Sequence, residues 1–270
     1  MILYLPRFCP LNSNVDCNHN PLLMLPRFYA PSLDPESAHV TLPPDEARHL
    51  SRVLRLGAGA EVAVFDGRGR EFRAIVEAAV RDTVALRLLE PQTASPQLPV
   101  QIVLVQAILK GRSMDDAIRD ATMMGAETIE PLLTAHTDVK ASTVKRPETL
   151  ERWNRIALAS VKQSRRATLP RIHPARSFEE WISTPSAGIR LIFVEPSADC
   201  EPQALKRLLD HDVPARAAVM IGPEGGWSAE EIARALDAGA MAVSLGPLTL
   251  RAESMPVAAL AALNAVWAAD

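Results

Sequence analysis

The residue types best suited to chemistry lie in two loops near the C-terminus. The first is Ile221-Gly222-Pro223-Glu224-Gly225-Gly226-Trp227-Ser228, and the second is Leu245-Gly246-Pro247-Leu248-Thr249-Leu250-Arg251-Ala252-Glu253-Ser254. Each follows a strand-like apolar run, Ala217 to Ile221 and Met241 to Leu245, and breaks into glycine and proline before a helix. Such loops expose backbone N–H and C=O groups with no side chain in the way, which suits a flat, polar ligand such as an adenosine. Neither has the Gly-Lys-Ser/Thr of a phosphate cradle or the spacing of a dinucleotide fingerprint. Arg251 and Glu253, two residues apart, fall on the same side of an extended segment. A fixed guanidinium stabilises negative charge as it develops, and a carboxylate orients the guanidinium or takes a proton. The bland alternative for this couple is a surface ion pair.

Other candidates have structural readings as well. Glu224 either meets a ligand or braces its own loop. Ser228 and Glu231 form a capping box that starts a helix ended by Gly239, which accounts for both without catalysis. Phe193-Val194-Glu195-Pro196 ends a further strand and brings a third loop to the same pocket, because α/β proteins bind ligands at the carboxyl ends of parallel strands.

Those loops need a scaffold, and the pattern supplies one. Strands at Val100 to Ile108, Thr128 to Leu133, Arg190 to Val194, Ala217 to Ile221 and Met241 to Leu245 alternate with helices. The helices are one capped by Ser113 and ended by Gly125, then Pro147 to about Gln163, a short one with the Ser177/Glu180 capping box, one near Pro202 to Leu209, and one from Pro256. The alternation argues a parallel α/β sheet over 100–270. Before it, Val62 and Val64, then Phe72, Ala74 and Val76, then Val84, Leu86 and Leu88 alternate with polar residues as half-buried strands do. With one helix over Pro44 to Leu54, residues 24–90 read as a small β-barrel. Residues 91–99, with three prolines, read as a stiff linker.

Composition sets the boundaries. A chain of 270 residues suits two domains. A hydrophobic content of 48% with 23% charge excludes general disorder. No apolar run reaches the roughly 18 residues a membrane span needs. Three cysteines without a repeated pair fit a reducing cytoplasm better than a disulfide scaffold, and no secretory signal is evident. Cys9, Cys17 and His19 are spaced too loosely for structural zinc, so no metal is expected. The net charge is −3, yet Ser142 to Arg176 carries nine Lys or Arg against two Glu. A local basic patch in an acidic protein is the pattern of a face that meets a polyanion. Arg152, Arg155 and Lys162 share one side of the 147–163 helix, Arg165 and Arg166 continue the charge into a loop, and Trp153, Ile156, Ala157 and Ser160 form the packing side. The alternative for such a face is plain solvation. His49, Arg52 and Arg55, three apart, form a second candidate patch, with a structural role for His49 as the alternative.

The motifs IGPEGGWSAEEI and LGPLTLRAES resemble the second and third cofactor loops of the knotted SPOUT RNA methyltransferases. They are most similar to the family that methylates N3 of a uridine in small-subunit ribosomal RNA, and the similarity runs from about Leu25 to the C-terminus. The resemblance implies a trefoil-knotted C-terminal domain beside a PUA-like RNA-binding barrel. It implies S-adenosylmethionine held by Phe193, Val194, Glu195, Gly222, Pro223, Glu224, Gly225, Gly226, Leu245, Gly246, Leu250 and Ser254. Arg251 and Glu253 are then catalytic, and the small-subunit (16S) ribosomal RNA is held by Arg27, His49, Arg52, Arg55, Lys110, Arg152, Arg155, Lys162, Arg165 and Arg166. A cytoplasmic homodimer is also implied, with the almost wholly apolar helix from Pro256 at the subunit contact; burial within the monomer is the alternative for that helix. Because the family typically begins at the second of two Leu-Pro-Arg-Phe elements, Met24 is an expected start and 1–23 a leader. The chain departs from the family at Leu248 and Asp120, where basic residues are usual, and at Ser254-Met255, where Thr-Ala is usual. The rival functions are methylation of a ribose or another base, in ribosomal or transfer RNA, and a catalytically silent RNA-binding assembly factor.

Overall fold

A computed structural model describes residues 25–80, 82–95, 98–185, 188–196, 198 and 200–267. The expected leader, Met24, Cys9, Cys17 and His19 lie outside the described residues.

The N-terminal part contains β1 (Arg27–Tyr29), β2 (His39–Thr41), α1 (Pro44–Arg48), β3 (Glu61–Phe65), β4 (Glu71–Val80) and β5 (Thr83–Gln92). Its sheet runs in the order β1-β3-β4-β5-β2, with β1 parallel to β3 and the other pairs antiparallel. Two register shifts in the β4–β5 ladder bend the sheet around its core, where Phe28, Leu50, Val62, Val64 and Leu86 are fully buried. The expected alternation fails in β3, whose Ala63 and Phe65 are buried too. Phe65 packs against Val161 and Ala167 of the C-terminal part, so this strand is covered on both faces. The helix expected over 44–54 is α-helical only to Arg48 and continues as a π-turn from His49 to Val53.

The C-terminal part begins with β6 (Gln101–Ala107), α2 (Arg112–Met123), β7 (Thr128–Leu133), α3 (Ala141–Val144) and α4 (Pro147–Ser164). It continues with β8 (Arg171–Ile172), β9 (Arg176–Ser177), α5 (Phe178–Ile182), β10 (Ile189–Phe193) and β11 (Gln203–Ala204). It closes with β12 (Arg216–Ile221), α6 (Ala229–Asp237), β13 (Ala240–Ser244) and α7 (Met255–Trp267). The strands form a sheet in the order β11-β13-β10-β12-β6-β7-β8, with β9 also beside β7, and every pairing is parallel. Strand β12 enters between β6 and β10, which precede it in the chain.

Both faces of this sheet are covered, as parallel sheets require. Ile102 and Leu104 face a core shared with α2, α4 and α7, while Val103 and Val105 face one shared with α5 and α6. Two local expectations need correction. Gly111, not Ser113, sits at the N-cap of α2, and no side chain caps that helix. The segment near Pro202 to Leu209 is not an α-helix but β11 followed by a 3-10 turn, Leu205–Asp210. The capping boxes of Ser177 with Glu180 and Ser228 with Glu231 are both present.

Candidate functional site

Strands β12, β10 and β13 are parallel neighbours in register, with Phe193 paired to Ile221 on one side and Val243 on the other. The loops that leave them emerge at one level and line a cavity of about 720 Å³. From β10 come Phe193, Val194 and Glu195; from β12 come Gly222, Pro223, Glu224, Gly225 and Gly226. The loop after β13 contributes Leu245, Gly246, Leu250, Arg251 and Glu253. The expected convergence of the three loops is therefore observed. Ser254 is the exception: it is exposed outside the cavity lining, with its N–H on the Arg251 carbonyl and its own carbonyl accepting from Ala258 in the first turn of α7.

The β12 loop and the start of α6 are braced by five residues. Trp227 Nε1 donates to the Phe193 carbonyl (3.1 Å), and Gly226 N–H closes a turn on the Pro223 carbonyl (3.0 Å). His136 Nδ1 lies 2.9 Å from the Gly225 carbonyl and 3.2 Å from that of Gly226, so it must carry the proton and donate. Glu224 lines the cavity and also accepts from the backbone N–H of Lys110 at 2.9 Å, so it braces the loop. Glu231 takes the Ala135 N–H at 2.8 Å besides completing its capping box. His136 is a residue the sequence reading missed; it lies 89 positions from Gly225, beyond any local pattern.

The glycines divide the loop into a back and a front. A Cβ on Gly225 would press on His136 Cβ at 3.0 Å, away from the cavity. A Cβ on Gly226 would point toward the Glu195 carboxylate, 3.7 Å off, and its φ of +68° is one that L residues rarely adopt. The resulting hollow combines bare backbone, the apolar walls of Val194, Ile232 and Leu245, and a carboxylate at Glu195. A flat heterocycle with a polar edge and a hydroxylated sugar fits that donor and acceptor set.

At the rim, Arg251 Nη1 stands 3.9 Å from Glu253 Oε1, with 86% of the arginine side chain exposed. So loose an exposed pair contributes little to stability. The guanidinium is poised over the cavity mouth rather than committed to Glu253. Leu248 beside it is 79% exposed, an unusual position for a leucine.

A family model described as an RNA methyltransferase domain matches residues 96–264, and one described as an RNA methyltransferase PUA domain matches 42–89. The chain belongs to the RNA methyltransferase family. Among curated relatives, ribosomal RNA small subunit methyltransferase E of Synechocystis is 35% identical, over 85% of this chain and 74% of that protein. The Mycobacterium bovis protein of the same name is 30% identical over 88% and 90%. Among solved structures, the Neisseria gonorrhoeae ribosomal RNA small subunit methyltransferase E bound to S-adenosyl methionine superposes with a TM-score of 0.80 at 32% identity, covering 90% of this chain and 98% of that one.

In this RNA methyltransferase the basic residues singled out for RNA fall into two groups. Arg27, Lys162 and Arg166, expected at the RNA, are turned inward and engaged by protein groups. Arg27 pairs with Glu71 through two hydrogen bonds (3.0 and 2.8 Å) and gives its remaining protons to the carbonyls of Val161, Lys162 and Arg166 at the end of α4. Lys162 Nζ is held by both oxygens of Glu46 (3.0 and 2.9 Å), and Arg166 caps the carbonyls of Thr122 and Ala126. Burial pushes the Arg166 pKa below its ordinary value. Arg27 and Lys162 bolt the N-terminal part to the methyltransferase domain, while Arg166 ties the end of α4 to α2 within that domain; in the sequence, nothing separates an anchoring arginine from an RNA-facing one.

The second group faces outward. Arg155 and Arg165 are exposed, and Arg165 closes α4 in the left-handed conformation. Arg152 reaches Asp115 (2.8 Å), Arg52 reaches Asp82 (2.8 Å), and Arg55 is exposed. His49 is half-buried with its ring against Phe28. Lys110 pairs with Asp138 at 2.5 Å, and this contact raises the lysine pKa and lowers that of the carboxyl. Asp120, where the resemblance expected a base, is occupied by Arg119. The described residues hold no cluster of His, Cys, Asp and Glu suited to a metal, and no helix long and apolar enough to cross a membrane.

Proposed function

We propose that this chain methylates N3 of a uridine in the small-subunit (16S) ribosomal RNA, using S-adenosylmethionine. The observation that carries the reading is the meeting of three strand-end loops at one cavity with Arg251 and Glu253 at its mouth. The two relatives named for the small subunit, together spanning most of this chain, support the substrate.

S-adenosylmethionine supplies an electrophilic methyl on a sulfonium, so no metal is needed. The bare backbone around Gly222 to Gly226 and Leu245 to Leu250 grips the adenosine, and Glu195 accepts from its hydroxyls. Uracil N3 must lose a proton before it attacks, and the negative charge then spreads onto the flanking carbonyl oxygens. Arg251 stabilises that charge, while Glu253 steers the guanidinium or takes the proton. With the N3 proton gone, the N3–C bond would form as the S–C bond of the sulfonium breaks and the demethylated thioether leaves; by holding the uridine in line, the protein would supply much of the acceleration. The outward-facing arginines of α4 and of the π-turn hold the RNA through its phosphates.

In the same reading the loops after β12 and β13 form the trefoil knot. The half-buried Val257 and Val266 of α7 pack against a second subunit, and the enzyme works in the cytoplasm. Calorimetric titration with S-adenosylmethionine, followed by single-turnover transfer to small-subunit RNA, tests the reading. Failure to bind the cofactor would return the chain to the class of silent RNA-binding factors.

A further inference from the structure

Arg190 lies near the start of β10 and is only 8% exposed, yet no carboxylate among the described residues touches it. Its guanidinium lies over the Trp181 ring (5.2 Å) and donates through its Nη atoms to the carbonyls of Thr184 (2.5 Å), Ala238 (3.3 Å) and Ile182 (3.4 Å). Its Nε–H is buried and has no acceptor. Burial pushes the Arg190 pKa below its ordinary value, as expected of a buried cation lacking a counter-charge. Arg176, from β9, shares the unpartnered Nε with Arg190 but has a carboxylate within reach. It makes two long contacts, to Glu130 (3.3 Å) and the Thr184 hydroxyl (3.4 Å), and its buried Nε is also without an acceptor.

Both arginines line one cavity of about 150 Å³, and Arg216 and Glu130 line it too. Arg216 is half-buried and has no ion-pair partner among the described residues. Three guanidinium groups therefore face one carboxylate, which is itself shared between Arg176 and, at 4.0 Å, His173. Buried donors are satisfied in nearly every native protein. Water can satisfy a lone N–H, but several guanidinium groups gathered at one partly open cavity beside a single carboxylate favour an anion as their counter-charge. A tetrahedral oxyanion offers several acceptors to forked guanidinium donors, the pairing for which arginine is best shaped.

We propose that Arg176, Arg190 and Arg216 form a binding site for a phosphate group. Its Arg190 and Arg216 lie near the amino ends of β10 and β12, whose carboxyl ends hold the methyl-transfer cavity, with Glu130 half-way along β7 and Arg176 beside Leu132, and the site stands whether or not the proposed reaction is correct. The phosphate is either free inorganic phosphate or a phosphodiester of bound RNA, and the shared chemistry is the same.

The test is thermal melting and calorimetry of the full chain in buffer with chloride as the sole small anion, titrated with sodium phosphate against sodium chloride of equal ionic strength. Phosphate is expected to bind saturably and raise the melting temperature beyond the chloride control. Arg216→Ala, at a half-exposed position, is expected to weaken phosphate binding about tenfold or more while S-adenosylmethionine affinity is unchanged. Arg190→Met is the more severe variant, and Arg216→Ala keeps the test decisive if it does not fold. Competition between phosphate and a short oligoribonucleotide would support a phosphodiester occupant; undisturbed phosphate binding would support free phosphate. No saturable effect above chloride, or equal binding by Arg216→Ala, would overturn the site.

Discussion

Arg27 and Glu71 meet through two parallel hydrogen bonds of 2.8 and 3.0 Å, and both side chains are buried. The same guanidinium reaches the last carbonyls of α4, so one residue ties the N-terminal sheet to the helix that carries the basic face. Removing one partner of a buried pair strands the other charge, which costs about 3–5 kcal/mol, whereas replacing both with apolar groups is often close to neutral. Arg27→Ala is therefore expected to lower the unfolding free energy by about that amount. The double variant Arg27→Met, Glu71→Leu is expected to recover part of the loss. Denaturant unfolding of wild type and both variants measures this, and a single variant within about 0.5 kcal/mol of wild type would show that the bolt is idle.

The cavity loop separates two roles that its sequence merges. Gly226 holds a positive φ and faces the cavity, so Gly226→Val is expected to abolish S-adenosylmethionine binding. His136→Ala leaves the cavity wall intact but frees the Gly225 and Gly226 carbonyls, and is expected to weaken binding about tenfold with little change in melting temperature. Calorimetry beside a thermal melt distinguishes the outcomes. Full affinity in the His136 variant would mean that the loop holds its shape unaided.

Much of this site can be read from the chain because its parts are local. A strand, a glycine turn and a capped helix occupy consecutive residues around Gly222 to Glu231, so periodicity and capping chemistry report them directly. The parallel sheet is equally legible, since apolar runs alternate with helical segments. What escapes is set by distance or brevity. His136 reaches Gly225 only through the sheet order, β8 and β9 have two residues each, and Phe65 is buried on its second face by a helix far along the chain. Charge misleads for the same reason: Arg155 and Arg166 look alike in sequence, and only packing turns one outward and the other into a cap.

The outward arginines of α4 are expected to carry RNA affinity. Changing Arg152, Arg155 and Arg165 together to Gln should weaken RNA binding and flatten its salt dependence, by about 0.7 to 0.9 in the log–log slope for each phosphate no longer neutralised. Cofactor affinity should not move. An unchanged slope would mark this face as merely solvated.

Arg251, loosely paired and 86% exposed, is expected to act in the transition state. Arg251→Ala should slow methyl transfer by about 10²-fold or more with S-adenosylmethionine affinity little altered. Arg251→Lys should restore only part of the rate, because an ammonium lacks the planar fork that meets a carbonyl oxygen and Glu253 together. Single-turnover kinetics with a thermal melt provide the check. A normal rate per folded molecule would remove Arg251 from catalysis.

Methylation at uracil N3 is the central claim, and one measurement addresses it. The purified protein is incubated with small-subunit ribosomal RNA, free and within assembled subunits, and with S-adenosylmethionine labelled in its methyl group. The RNA is then digested to nucleosides and separated. Label is expected in N3-methyluridine alone, and its appearance should be strongly slowed in Arg251→Ala. Label in a ribose-methylated nucleoside or another base, or none despite measured cofactor binding, would contradict the claim.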